Sequence, residues 1–247
     1  MRVWSVEGRD EVLVAVASDG AGSASCSDHG ARLVCRSFSE RVNDRLRLDS
    51  FETSWTSDLG RELAVAVRGE LLEAADRLMV APRELSCTFL AAVLGPKRSL
   101  FLQIGDGALV ESDGLDCRPV FWPQSGEYVN TTRFLTDPQA LDHLMVETSD
   151  RRIEELAILT DGLQPLALTY ANRGAHPPFF RPLFGSLRRE PSGFAASLVH
   201  PCVRWLRSDS VTRRTDDDLT IVLATRHSVT HGQDPGTNDQ QRSACHG

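Results

Sequence analysis

Apolar positions in this chain recur with two periods. Short continuous runs bounded by Asp-Gly pairs predict buried strands, and spacing of three and four residues predicts helices. The run 12–17 ends in Ser18-Asp19-Gly20 and the run 156–159 ends in Thr160-Asp161-Gly162, so each strand carries a carboxylate at its mouth. A third run, 219–224, is preceded by Asp216-Asp217-Asp218, which places its acids at the strand's beginning. If that strand lies antiparallel to the other two, all three sets of carboxylates meet at one edge of a sheet.

The spacing of Ala31, Val34, Cys35, Phe38 and Val42 predicts a helix from 27 to about 42, with Asp28 near its start, where the dipole favours an acid. A second helix is predicted over 57–79, with one face made of Leu59, Leu63, Ala66, Val67, Leu71, Ala74, Ala75 and Leu78, and Pro82 as its stop. Segments 85–94, 100–104 and 108–111 predict three strands joined by turns at 95–98 and 105–107, an antiparallel meander. Further strands are expected at 117–121, 140–148 and 153–160, around a polar stretch at 123–132. Helices are expected at 163–170, 179–187 and 192–206, separated by Pro177-Pro178 and Pro191. Residues 1–226 read as one domain and 227–247 as a disordered polar tail.

Composition narrows the function classes. The chain has 247 residues, 41% hydrophobic and 25% charged, enough to bury a core, and disorder along its whole length is excluded. A formal net charge of −7 argues against a nucleic-acid binder, which needs a basic face. No stretch approaches the roughly 20 apolar residues that span a bilayer, and no signal core opens the chain, so a cytoplasmic location is expected. Six scattered cysteines without a Cys-x-x-Cys pair read as buried, reduced thiols.

The candidate chemistry lies in the carboxylates. Acids gathered on a dry scaffold repel one another, and a hard divalent cation bound through oxygen relieves that repulsion. Gly105-Asp106-Gly107 adds a further Asp-Gly, and the small residues 21–25 after Gly20 suit a backbone that approaches a ligand closely.

The ordered set Ser18-Asp19-Gly20, Gly105-Asp106-Gly107, Thr160-Asp161-Gly162 and Asp217-Asp218-Leu219-Thr220 resembles the metal-dependent serine/threonine phosphatases of the protein phosphatase 2C type, over residues 12–225. The resemblance implies an α+β fold, a four-layer sandwich of two antiparallel sheets flanked by helices, with two Mg or Mn ions in a cleft at one edge. It implies that Asp19 bridges the two ions, that the Gly20 carbonyl binds the second, and that Asp161 and Asp217 bind the first. A water activated by both ions would then attack the phosphorus of phosphoserine or phosphothreonine in a partner protein. Asp106 matches a ligand of a third ion in bacterial relatives, but Gln164-Pro165 stands where the family often has a helping aspartate, which favours a structural turn role as strongly. Residues 19–24 and 122–128 look more like bacterial members, which work against a serine/threonine kinase in signalling; a monomer is expected.

Two departures bear on activity. The family's upstream segment, with a phosphate-gripping Arg and an acidic ligand of the second ion, has no match among Arg2, Glu7, Arg9, Asp10 and Glu11, so the second site is expected to be incomplete unless the chain begins late. Ala21 follows Gly20 where some members have a histidine; His29 lies on the predicted helix and reads as a solvated or capping residue. The alternative function is therefore a phosphatase-like module without turnover that binds a phosphoprotein or regulatory partner. A structural calcium site in an unrelated sandwich is a third reading, weakened by the lack of an Asp-x-Asp-x-Asp-Gly loop.

Overall fold

The computed structural model describes residues 2–4, 12–48, 55–124, 132–215 and 217–227. Two antiparallel sheets face each other. The first has the order β1 (Arg2–Trp4), β2 (Val12–Ala17), β3 (Phe89–Leu94), β4 (Ser99–Ile104) and β7 (Met145–Ser149); the second runs β11 (Ile221–Thr225), β8 (Glu155–Leu159), β5 (Ala108–Ser112) and β6 (Cys117–Pro119). A two-residue ladder joins β9 (Leu168–Thr169) to β10 (Gly174–Ala175). Six α-helices lie among the described residues: α1 (Ser27–Leu48), α2 (Ser57–Leu78), α3 (Gln164–Ala167), α4 (Pro177–Leu187), α5 (Ala196–Leu206) and α6 (Asp209–Thr212).

The layers follow from which face each strand buries. Ala15, Leu90, Ala92, Phe101, Leu109, Leu156 and Ile158 fill the space between the sheets. Alternate residues of the first sheet, Val14, Val16, Phe89 and Leu102, pack outward on α1 and α2 through Phe38, Leu63 and Leu71. The second sheet turns Val110, Ala157 and Leu159 towards Phe180 and Phe184 of α4. Both sheets are covered on two faces, so β3, β4, β5 and β8 are buried throughout; β3 is apolar along its whole length, while β4, β5 and β8 also bury Ser99, Gln103, Glu111, Ser112 and Glu155. The four-layer α+β sandwich implied by the resemblance is the fold observed.

Several boundaries differ from expectation. Helix α1 continues to Leu48 because Leu46, besides Val42, is buried. Helix α2 starts at the Thr56 cap, whose Oγ1 accepts a hydrogen bond from the Leu59 N–H at 3.2 Å, and ends where Met79 turns left-handed at φ 55°. Its inner face includes Gly60 and Ala64, while Leu78 is exposed. The expected strand 85–94 begins only at Phe89, since Pro82–Leu85 forms a 3-10 turn; likewise Ala140–His143 is a 3-10 turn ahead of β7. The expected helix 163–170 is cut short at Ala167, because the next residues pair with Gly174 and Ala175. The proposed tail beyond His227 lies outside the described residues.

The largest correction concerns topology. The expected meander through residues 85–111 stays in one sheet, but Gly105-Asp106-Gly107 carries the chain from β4 in the first sheet to β5 in the second. Gly105 makes that corner with φ 108°, a conformation L side chains rarely adopt, and the Gln103 amide holds it from inside by donating to the carbonyls of Gly105 (3.2 Å) and Gly107 (2.9 Å). Asp106 is thus the residue at an inter-sheet corner, not at a hairpin turn.

Candidate active site

The three sets of carboxylates do meet, at one end of the sandwich and not along one edge of a sheet. Asp19 follows β2 of the first sheet, Asp161 follows β8 of the second, and Asp217 precedes β11, which is antiparallel to β8. The corner carrying Asp106 spans the gap between them. On one side, the β3–β4 register ends at Phe89 and Ile104, beside Asp19; on the other, Ala108 pairs with Leu159, two residues before Asp161.

Local hydrogen bonds fix each acid. The Asp19 carbonyl accepts from the Thr88 N–H at 2.8 Å, its N–H donates to Thr88 Oγ1 at 2.9 Å, and Ser18 Oγ donates to the Thr88 carbonyl at 2.5 Å. Ala21 N–H donates to the Ser86 carbonyl at 2.9 Å, so Gly20 forms a narrow bridge opposite Cys87 whose flanking residues make the bonds. That pattern turns the Gly20 carbonyl away from the Cys87 segment, towards the mouth of β2. Asp161 caps its own turn by accepting from the Gly162 N–H at 2.9 Å. Thr160 ties that turn to the third segment: its N–H donates to the Thr220 carbonyl at 3.1 Å, and its Oγ1 accepts from the Thr220 N–H at 2.9 Å. Gly162 then lies against the acids, since a Cβ there would be 2.8 Å from the Asp218 carbonyl. Asp217 Oδ1 accepts from the Asp218 N–H at 2.9 Å.

The electrostatics record the crowding. Partial burial, then the charge of Asp217, raises the Asp19 carboxyl to about 6 despite a hydrogen bond to Asp161, with Asp218 and Asp106 adding to the rise. Burial, then Asp106, Asp217 and Asp19, raises Asp161 to about 7. Asp106 is raised as well, chiefly by burial. Every charged neighbour acting on Asp19 and Asp161 is another aspartate, and a hydrogen bond between two carboxyls needs a shared proton. Among the described residues no three His, Cys, Asp or Glu side chains stand close enough together to hold a metal ion between them. The chemistry of the donors nevertheless fits a hard divalent cation: they are all oxygen, over-rich in negative charge, and reach solvent at exposed Asp217. Asp19, the Gly20 carbonyl, Asp161 and Asp217 are the residues that would hold it.

Asp106 is engaged from both ends. Thr132 Oγ1 donates to its carboxylate and the Gln164 amide donates to its carbonyl, while Tyr170 OH donates to Gln164 Oε1 at 2.8 Å. Trp122 meets the Tyr170 ring edge-to-face at 5.4 Å, and Gln124 Oε1 accepts from the Gly105 N–H at 3.1 Å. Sequence reasoning passed over Thr88, Thr132 and Tyr170; Thr88 lies 69 residues from Asp19, and no local pattern signals such partners. His29 lies on the exposed side of α1. The upstream segment 5–11 and residues 125–131 lie outside the described residues. All five cysteines among the described residues are free thiols, but only Cys87 is buried, its thiol pushed up to about 12 by that burial; Cys26, Cys35, Cys117 and Cys202 are half-buried, contrary to expectation. No helix among the described residues is long and apolar enough to cross a membrane.

Comparison with known proteins gives the family. The sequence profile of the family described as protein phosphatase 2C matches residues 2–204. Serine/threonine-protein phosphatase 3 of Escherichia coli strain K12 is 32% identical over 224 residues, covering 91% of this chain and 88% of that protein. Among solved structures, the serine/threonine phosphatase Stp1 of Staphylococcus aureus superposes with a TM-score of 0.59 at 13% identity, covering 92% of this chain and 88% of its own. A bacterial serine phosphatase superposes with a TM-score of 0.60, also at 13% identity, over 92% and 91% of the two chains. With its fold, its four Asp-Gly or Asp-Asp segments and this identity taken together, the chain belongs to the protein phosphatase 2C family of serine/threonine phosphatases.

Proposed function

We propose that the chain hydrolyses phosphoserine and phosphothreonine in partner proteins, with two Mg or Mn ions held by Asp19, the Gly20 carbonyl, Asp161 and Asp217. The observation that carries this reading is the set of mutually repelling carboxylates assembled from both sheets at one end of the sandwich, an arrangement that destabilises the fold unless cations balance it. Bound there, the ions would supply an acidified water as nucleophile and offset the charge on the phosphoryl oxygens. The chain's own contribution is position: the Thr88 and Thr160 hydrogen bonds hold the two strand mouths, and the corner at Asp106 sets their separation. We assign Asp106 to that corner and not to a third ion, because Thr132 already donates to its carboxylate and Gln164 ties down its carbonyl. Ala21 offers no proton after Gly20, so the leaving alkoxide would take its proton from water or from another residue. The partners are a phosphoprotein substrate and an opposing serine/threonine kinase in cytoplasmic signalling, and the chain acts as a monomer.

The test is hydrolysis of p-nitrophenyl phosphate and of a phosphothreonine peptide with Mn, with Mg and with chelator, alongside calorimetric Mn binding. Metal-dependent phosphate release that is lost in Asp161→Ala supports the proposal. Mn binding without release favours the alternative, a module that binds phosphoproteins without turnover.

A further inference from the structure

Strand β11 is the edge of the second sheet among the described residues, and its backbone is only half satisfied. Arg226 N–H donates to the Glu154 carbonyl and Thr160 N–H to the Thr220 carbonyl, so the even-numbered residues of this ladder exchange hydrogen bonds with β8. The N–H and carbonyl groups of Ile221, Leu223 and Thr225 therefore point away from β8. Beside them runs a groove of about 1330 Å³, lined by Ile221, Leu223, Thr225 and their neighbours along the strand. That exceeds the roughly 300–1,000 Å³ of small-molecule sites and is elongated along the strand. One wall is helix α5, on which no residue is buried and whose Val199 and Val203 are 42% and 40% exposed; the other is made by Leu13 and Leu94 at the margin of the first sheet. A strand laid along β11 would alternate its side chains between these two apolar walls.

Charge selects the occupant. Residues 164–215 hold eight arginines and two acids in a chain whose net charge is −7, and Arg189, Arg204 and Arg207 lie exposed around α5. Next to Pro96 and Arg152, which line the groove, Arg98 pairs with Asp150 and Arg152 with Glu154. We propose that the open edge of β11 is a strand-addition site for a partner protein's extended segment, apolar in its middle and acidic in its flanks. A second copy fits less well, because two-fold pairing of β11 with itself would bring Arg204 of α5 and the flanking Arg189 and Arg207 of each copy close to those of the other. Residues 228–247 contain only Val229, Ala244 and Cys245 as apolar side chains, too few to line both walls. A bilayer would require a protruding face, and this one is concave.

The probe is a labelled ten-residue peptide of alternating valine and leucine between paired aspartates, followed by fluorescence anisotropy with the full chain. Micromolar binding is expected, weakened at least tenfold when the flanks are lysine or when alternate peptide nitrogens are methylated. Thr225→Pro removes an outward N–H without touching the β8 ladder, and Val199→Asp places an acid on an exposed site; each should weaken binding at least tenfold with p-nitrophenyl phosphate hydrolysis unchanged. Hydrogen exchange should show the amides of Ile221, Leu223 and Thr225 protected by the peptide. Absence of binding, or binding indifferent to both variants, overturns the proposal. So does a dimer in sedimentation that Thr225→Pro dissociates, or a preference for phosphatidylserine vesicles over the peptide.

Discussion

Replacing Asp161 by asparagine removes a charge that three neighbouring aspartates oppose. Folded, that carboxyl titrates at about 7, against 3.8 for the free group, so between these values the folded chain holds a proton the unfolded chain has lost. Stability with chelator should therefore fall as pH rises from about 4 to about 7 and stay low above that. Asp161→Asn should raise the melting temperature at pH 8 with chelator by roughly 3–8 °C, with the gain vanishing near pH 4, as calorimetric scans across pH would read. The same variant should lose at least about a hundredfold in Mn-dependent hydrolysis. Asp106→Asn should cost less than about tenfold, since its neighbours hold the corner by hydrogen bonds that an amide keeps in part. Equal losses in steady-state kinetics would return Asp106 to the ligand set. The acids themselves were legible in the sequence because Asp-Gly after an apolar run marks a strand mouth. Thr88 and Thr132 were not, because nothing near them in the chain predicts a partner 69 or 26 residues away.

Among the elements, helix α2 illustrates how periodicity both succeeds and errs. Leu63 is 7% exposed in the cluster that joins α2 to the first sheet, so Leu63→Asp buries a charge and should unfold the chain or lower its stability by about 3–5 kcal/mol in urea titration. Leu78, on the same expected face, is 44% exposed because the helix ends there in the left-handed Met79. Leu78→Asp should be almost neutral, within about 0.5 kcal/mol. The turn after β8 is the tighter constraint on function. Gly162→Ala puts a methyl 2.8 Å from the Asp218 carbonyl and must push the Asp217 segment outward. The expected result is a folded protein with circular dichroism unchanged and calorimetric Mn affinity reduced about tenfold or more; unchanged affinity would mean that this contact does not place Asp217.

At the scale of the whole molecule, Mn should act as a ligand of the folded state alone, because the unfolded chain disperses the acids that bind it. At a hundred times its dissociation constant it should add about 2.7 kcal/mol, a rise of roughly 5–10 °C in melting temperature, and Asp161→Asn should abolish that rise. The sequence by itself determined the strands and helices with strong periodicity, the family and the four carboxylate segments, because hydrophobic period and Asp-Gly chemistry are local properties written into neighbouring residues. Only the tertiary structure decided that Gly105-Asp106-Gly107 crosses between sheets and does not close a hairpin, since one glycine turn serves either path and the choice rests on which strands find partners. It also decided that the acids converge at the end of a sandwich, and that β11 is left with one half of its backbone facing an apolar groove. Both are products of sheet order, which depends on contacts between residues far apart in the chain, and no spacing along the sequence encodes it.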